Sequence, residues 1–266
     1  VINFTTAALI ILGGLGFTVW YDVIENVKHI YHKEVPAHWL FTRLTLHSKL
    51  VLISTAFLLI TGTLMILGME YHNAGTIGNM SLGEKILSSF FQSVTTRTAG
   101  FNTADLTAMH ESSQFLMILL MLIGGSPGST AGGIKTTTIA VLLACAAAVF
   151  SRKDSPEMFK RRIMPDIVAT AIAIFFMYTG LGITCAIALS IIEELPLMPC
   201  LFESFSAIAT VGLSFGITPT LSVLSKLLLI IFMFIGRVGG LTIIYATMNG
   251  YKLQCGKLPQ EKISVG

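Results

Sequence analysis

The sequence predicts an all-α polytopic membrane protein made of repeated units of helix, half-helix, loop and helix. Three observations carry that expectation: the scarcity of charge, the length of the apolar runs, and an internal repeat. Of the 266 residues, 53% are hydrophobic and only 12% are charged, and the mean hydropathy is +0.78. Soluble domains carry about a quarter charged residues, so lipid must cover much of this surface. Apolar runs at 50–69, 163–192 and 221–235 with its continuation, and a fourth at 1–20, are of spanning length or near it; crossing a hydrocarbon core takes about 20 residues of helix. None alternates as a strand would, and lipid leaves helices as the remaining solution.

The repeat orders the chain. A shift of 112 residues lays Phe90-Phe91-Gln92 over Phe202-Glu203-Ser204, and Thr98-Ala99-Gly100-Phe101-Asn102 over Thr210-Val211-Gly212-Leu213-Ser214. Without a gap, Met121-Leu122-Ile123-Gly124 then falls on Met233-Phe234-Ile235-Gly236. Near the start, Leu12-Gly13-Gly14 matches Ile123-Gly124-Gly125 at a shift of 111. The chain is therefore expected to begin inside an upstream unit. Residues 1–45 would hold that unit's second membrane helix and a cytoplasmic linker, 46–162 a full unit with a broken helix, and 163–266 another full unit with a short cytoplasmic tail.

Each full unit opens on a long apolar helix, at about 46–69 and 164–192. A segment too short to span follows, at about 82–94 and 199–209, then a Gly/Thr stretch, then a second apolar helix beginning near Ser113 or Ser222. The units are expected to be arranged around a central pore. Charge supports the topology by the positive-inside rule. Lys28, Lys33, Arg43 and Lys49, then Arg152, Lys153, Lys160, Arg161 and Arg162, then Lys252, Lys257 and Lys262 make up 12 of the 17 basic residues and mark the cytoplasmic side. The opposite loops hold Glu70, Glu84, Asp105, Glu111, Glu193 and Glu194.

Two stretches could carry chemistry. The first is residues 93–102, with its partner at 206–216. A short helix that enters the membrane and hands over to extended backbone leaves C=O groups that a dehydrated cation can satisfy, which is how carbonyl filters work. Gly100 and Gly212 give the backbone angles closed to other residues. Arg97 beside such a path would repel a cation. It is expected to point behind the strand and pair with an acidic group or backbone carbonyls, Glu203 being a candidate, although Glu203 could equally be a polar anchor.

The second stretch, Gly124-Gly125-Ser126-Pro127-Gly128-Ser129-Thr130-Ala131-Gly132-Gly133-Ile134-Lys135-Thr136-Thr137-Thr138, interrupts an otherwise helical segment. Glycine and proline at this density break a helix, and irregular backbone at membrane depth must lie against protein or water. Such a segment could obstruct a pore and move aside. It is not a phosphate-binding loop: Gly128 and Gly133 have the right separation, but Ile134 stands where the lysine is required. Arg237, at the position equivalent to Gly125, is expected in the middle of the last helix, bonded to carbonyls of this loop. Lys135 would serve the same loop or sit at its aqueous edge.

Other residues give less. His29, His32, His38 and His47 read as surface residues in or beside the basic linker, and His72 and His110 fall in outer loops. Cys145, Cys185, Cys200 and Cys255 are widely spaced, without a metal or disulfide pattern. A signal peptide is not predicted: the start lacks a basic region and a cleavage site, and begins with Val. No nucleophile–base pair or carboxylate pair points to an enzyme, and nothing points to nucleic acid.

The stretch from Gln92 to Thr103, the Gly-rich stretch and Ala209-Thr210-Val211-Gly212-Leu213-Ser214 together resemble the Trk/Ktr/HKT superfamily of K+ transporters, most of all the bacterial Ktr-type membrane subunit. The resemblance covers essentially the whole chain. It implies four membrane–pore–membrane units around one pore, of which this chain holds the end of the second and all of the third and fourth. It puts Thr98, Ala99, Gly100 and Phe101, and Thr210, Val211, Gly212 and Leu213, on the selectivity filter. It makes the Gly-rich stretch an intramembrane gating loop with Arg237 as its contact, K+ the transported ion and Na+ a stimulating one. It further implies a homodimer in the bacterial plasma membrane, docked on a cytosolic ring of nucleotide-binding regulatory subunits. Three alternatives stay open: Na+ or mixed Na+/K+ conduction, an alternating-access carrier, and a membrane assembly subunit without its own pore. The half-helix followed by Thr-x-Gly in both units favours the filter over the carrier.

Overall fold

The first apolar run does not cross as one rod. In the computed structural model, which describes residues 2–32, 36, 40–153, 155–239 and 242, it divides into α1 (Ile2–Gly14) and α2 (Phe17–Tyr31), bent by 94°. The apolar run at 1–20 thus continues through a bend rather than as one helix. Gly16 makes the corner at φ 86°, and a Cβ there would stand 2.5 Å from the Pro127 carbonyl oxygen. The corner is thus where a later loop packs against bare backbone. Val1, Lys33, His38, Lys252, Cys255, Lys257 and Lys262, which enter the sequence reading, lie outside the described residues.

After the short α3 (Leu40–Arg43), the chain enters α4 (Leu46–Glu70). Thr45 caps it, its Oγ1 accepting from the Ser48 amide at 3.3 Å. At 1.5 Å per residue, 25 residues reach about 37 Å, enough to cross the bilayer core. Helix α5 (Leu82–Thr95) has 14 residues and reaches only about 21 Å. The predicted broken helix is α6 (Glu111–Leu122) and α7 (Thr136–Phe150), separated by residues 123–135. A small hairpin, β1 (Glu157–Met158) with β2 (Arg161–Arg162), joins α7 to α8 (Pro165–Glu193). Proline at the first helical turn suits α8, where its missing N–H costs nothing. The second half-helix is α9 (Leu197–Ile208), and a 3-10 turn at Thr218–Thr220 leads into α10 (Val223–Val238).

Among the described residues, α4 and α8 are long and apolar enough to span, and the bent α1–α2 pair makes a third candidate. Phe57, Ile60 and Leu64 on α4, and Phe176, Ile183 and Ile187 on α8, are exposed; rows of apolar side chains turned outward on spanning helices belong in lipid. Helix α5 lies against α4 and α1, and α9 against α8, α10 and α6. Helix α6 touches both α4 and α9, so its Met117 and Met121 pack into one core with Ile66, Phe202 and Ile208. That core is the platform from which the two half-helices present their ends.

Candidate functional site

The ends of α5 and α9 carry the same backbone. Thr98 (φ 65°) and Gly100 (φ 74°) take left-handed angles, and so do Thr210 (φ 54°) and Gly212 (φ 91°). Glycine does this freely, but a β-branched residue at positive φ is an outlier. Sequence reasoning singled out the glycines and missed the strain at the two threonines, each costing about 1–2 kcal/mol.

Hydroxyls at the ends of the half-helices hold these turns. Thr95 Oγ1 accepts from the Phe101 amide at 3.0 Å and donates to the Phe101 carbonyl. Ser206 Oγ accepts from the Gly212 amide at 3.2 Å. Each hydroxyl thus reaches six residues ahead. Both residues lie in the stretches singled out at 93–102 and 206–216, but neither was given this turn-holding role; a hydroxyl six positions before the bonded amide was the available signal. The turns also meet one another: a Cβ on Gly100 would lie 2.6 Å from the Val211 carbonyl oxygen and 3.3 Å from Gly212 Cα.

The Gly-rich loop is pinned at its base by a parallel bridge between Ile123 and Ile134. The Gly124 amide donates to the Ile134 carbonyl at 2.8 Å, and the Ile134 amide to the Leu122 carbonyl at 3.1 Å. Its middle reaches the α1–α2 corner, with the Ser126 amide donating to Gly14 O at 3.0 Å and Phe17 N donating to Gly128 O at 3.2 Å. Lys135 Nζ donates to Ala131 O at 2.5 Å, within the loop. Arg237 Nη1 donates to Thr130 O at 2.6 Å, a contact of the kind expected for it. Its setting differs from expectation: α10 ends at Val238, with Gly239 at φ 86°, so Arg237 lies in the last turn of the described helix rather than its middle. The loop also abuts the second turn. A Cβ on Gly132 would stand 2.8 Å from Ala209 O, and one on Gly133 would stand 3.3 Å from Ala209 Cβ.

Arg97 and Glu203 do not meet. The buried Arg97 side chain runs toward α4, where Nη2 donates to Thr55 Oγ1 at 3.3 Å. The Glu203 carboxylate is turned to its own outer loop, accepting from Thr218 at 3.2 Å and from Ser214. The polar-anchor alternative for Glu203 describes this arrangement, and the Arg97 pairing is corrected. His47 is half-buried, its Nε2 3.3 Å from Thr18 Oγ1, rather than a surface residue. Outside the membrane-crossing segments, the Thr107 hydroxyl and amide hold the Asp105 carboxyl below the usual carboxylate range. No group of three metal-ligating side chains occurs among the described residues.

A polytopic helical membrane protein in which two half-helices end in strained, paired backbone turns belongs to the class of membrane transport proteins. Residues 1–252 match the TrkH family of cation transport proteins. The chain belongs to that family, and so to the Trk/Ktr/HKT superfamily, whose members are transport proteins rather than enzymes. It is 38% identical over 250 residues to the Ktr system potassium uptake protein B of Bacillus subtilis, covering 92% of this chain and 52% of that one. It is 39% identical over 266 residues to the potassium/sodium uptake protein NtpJ of Enterococcus hirae, covering 98% and 56%. Its fold matches the crystal structure of the potassium transporter TrkH from Vibrio parahaemolyticus, with a TM-score of 0.70 at 20% identity over 93% of this chain and 52% of that one. The chain spans about half the length of the curated relatives it matches.

Proposed function

We propose that the protein takes part in passive K+ uptake across the cell membrane, through a filter gated by a loop inside the bilayer. The observation that carries this reading is the pair of left-handed Thr-x-Gly turns at the ends of α5 and α9, brought into contact at Gly100, Val211 and Gly212. Carbonyls of Thr98, Ala99, Gly100 and Phe101, and of Thr210, Val211, Gly212 and Leu213, would replace the hydration shell of the ion. On this reading residues 46–162 and 163–266 are two pore units, preceded in 1–45 by the end of another. The loop at 124–135 closes the path below the filter, held by Arg237. The Ktr system potassium uptake protein B of Bacillus subtilis, as a relative, supports the choice of ion. Homodimer formation, a cytosolic nucleotide-binding ring and stimulation by Na+ belong to the same reading.

The potassium/sodium name of the Enterococcus relative favours one second reading, mixed K+/Na+ conduction. The deciding experiment is uptake of K+ and of Na+ by the full-length protein in liposomes, with Gly100→Ser, Gly212→Ser and a shortened 124–135 loop. K+ uptake well above Na+, blurred by either glycine change and raised by the shorter loop, is expected. Equal uptake of the two ions in the parent protein would favour mixed conduction. Indifference to both glycine changes would remove these turns from the filter.

A further inference from the structure

A second recurring device sits at the outer ends of the same helices, off the 112-residue register and therefore invisible to sequence self-comparison. Glu70 is the last residue of α4, and Glu193 the last of α8, 123 positions apart. Glu70 is fully buried. Its Oε1 accepts from the His110 amide at 3.0 Å and from Ser113 Oγ at 2.5 Å. Its Oε2 accepts from Asn73 Nδ2 at 2.6 Å and Thr76 Oγ1 at 2.8 Å. Glu193 gathers its donors on one oxygen: Oε1 accepts from the Ser222 amide at 2.9 Å, Ser222 Oγ at 2.5 Å and Ser225 Oγ at 2.5 Å.

The donors, unlike the carboxylates, do obey the repeat. His110 and Ser222 are the N-caps of α6 and α10, and Ser113 and Ser225 lie three residues further on, so each pair is related by the 112-residue shift. The first amides of a helix lack internal partners and carry a partial positive charge. His110 makes no side-chain cap on α6, and the Glu70 carboxylate, from a different helix, holds the amide of that N-cap residue together with the Ser113 hydroxyl. A carboxylate is the right group, because it only accepts and can take about four donors.

We propose that Glu70 and Glu193 are positioning residues for the ion path, each closing its unit at the outer face so that the filter turn between the clamped ends is held at a fixed depth. Between Glu70 and His110 lie α5 and the turn at 98–101; between Glu193 and Ser222 lie α9 and the turn at 210–213. Each carboxylate therefore ties the entry to the half-helix to the exit from the filter strand. Asn73 extends the first clamp, its Nδ2 also donating to Ala108 O at 2.8 Å. Both clamps lie within single units, so they are complete in this chain. The proposal rests on the transport reading above for what is being positioned.

The two hydrogen-bond patterns predict different responses to Gln. Glu70→Gln must turn its NH2 toward donors on one side, since both oxygens are in use. Glu193→Gln can offer its carbonyl oxygen in the same place, as a neutral and weaker acceptor. A role as surface charge attracting cations would instead make Glu193→Gln as harmful as Glu193→Ala. The test uses the full-length protein in lipid nanodiscs and liposomes, with amide hydrogen exchange and the K+/Na+ uptake ratio measured in parallel. In Glu70→Gln, the segment 95–114 is expected to exchange roughly tenfold faster, with the uptake ratio falling by about threefold or more. Glu193→Ala should do the same to 206–226, and Glu193→Gln should show a clearly smaller change than Glu193→Ala in both measurements. Ser113→Ala, which removes one donor and keeps the carboxylate, should give a smaller change in the same direction and serves if Glu70→Gln does not fold. Unchanged filter-strand exchange in Glu70→Gln and Glu193→Ala, or equal damage from Glu193→Gln and Glu193→Ala, would overturn the proposal. A parent protein that passes no K+ would sink the transport reading alone, because the exchange measurement still reads the clamp.

Discussion

Replacing Gly100 by Ala tests whether the two left-handed turns share one packed structure, because the same change at Gly212 provides an internal control. Both glycines have positive φ, 74° and 91°, so both alanines bear a left-handed penalty of about 1–2 kcal/mol. The surroundings differ. At Gly212 the new methyl would find only Gly100 Cα, at an ordinary contact distance of 3.6 Å. At Gly100 it would stand 2.6 Å from the Val211 carbonyl oxygen, which is backbone and cannot rotate away like a side chain. Relief requires the carbonyl to retreat by about 0.8 Å or more, and overpacking of this kind costs about 1–3 kcal/mol further. Gly100→Ala should therefore cost about 2–5 kcal/mol in total. The displaced carbonyl belongs to the opposite turn, so selectivity should fall along with stability. Thermal unfolding in nanodiscs and paired K+ and Na+ uptake provide the readout: Gly212→Ala mildly affected, Gly100→Ala strongly affected in both. Equal effects of the two substitutions, or a Gly100→Ala protein with the parent's ion ratio, would refute the reasoning.

Two further outcomes follow from contacts away from these turns. Arg237→Gln removes a charge-assisted hydrogen bond to Thr130 O, worth about 1.5–3 kcal/mol, so K+ uptake at limiting activation should rise by roughly tenfold or more; unchanged uptake would mean the contact does not restrain the loop. Gly62→Ala puts a methyl into Ser93 Oγ and 3.2 Å from Leu120 Cδ1, where α4, α5 and α6 converge. It should destabilise the protein by about 1–3 kcal/mol, and Ser93→Ala in the same chain should recover part of the loss in thermal unfolding.

The sequence made the helices legible because lipid leaves few alternatives: α4, α8 and the two half-helices end within a few residues of where composition and repeat put them. It made Gly100 and Gly212 legible because glycine at a helix-to-strand change has one common reason. What it hid were relations between residues far apart. The corner at Gly16 packs against Pro127, over a hundred residues later, so the bend in the first apolar run is not legible until the two are seen together. Arg97 and Glu203 are the obvious opposite charges on paper, yet each is committed to its own side of the fold. The Glu70 and Glu193 clamps were masked by a difference in helix and loop length, which shifts the acceptors out of register while leaving the donors in it.

On the transport reading, the gating loop is suited to being opened by a modest input of free energy. Its base is built into the fold through the Ile123–Ile134 bridge. Its tip is tied to α1, α2 and α10 by three bonds: Ser126 N to Gly14 O, Phe17 N to Gly128 O, and Arg237 to Thr130 O. Two neutral bonds at about 0.5–1.5 kcal/mol each and one charged bond at about 1.5–3 give roughly 2.5–6 kcal/mol for release of the tip. A barrier-free loop would leak, and one held by a packed apolar core would not open. That order-of-magnitude range includes the approximately 5.5 kcal/mol by which a ligand must favour one state to drive a two-state equilibrium from 1:99 to 99:1. Because Gly132 and Gly133 press on Ala209 at the foot of the second filter turn, the tip cannot leave without changing what supports that turn. Gate position and filter geometry are then coupled by direct contact, and selectivity is expected to differ between weakly and fully activated protein.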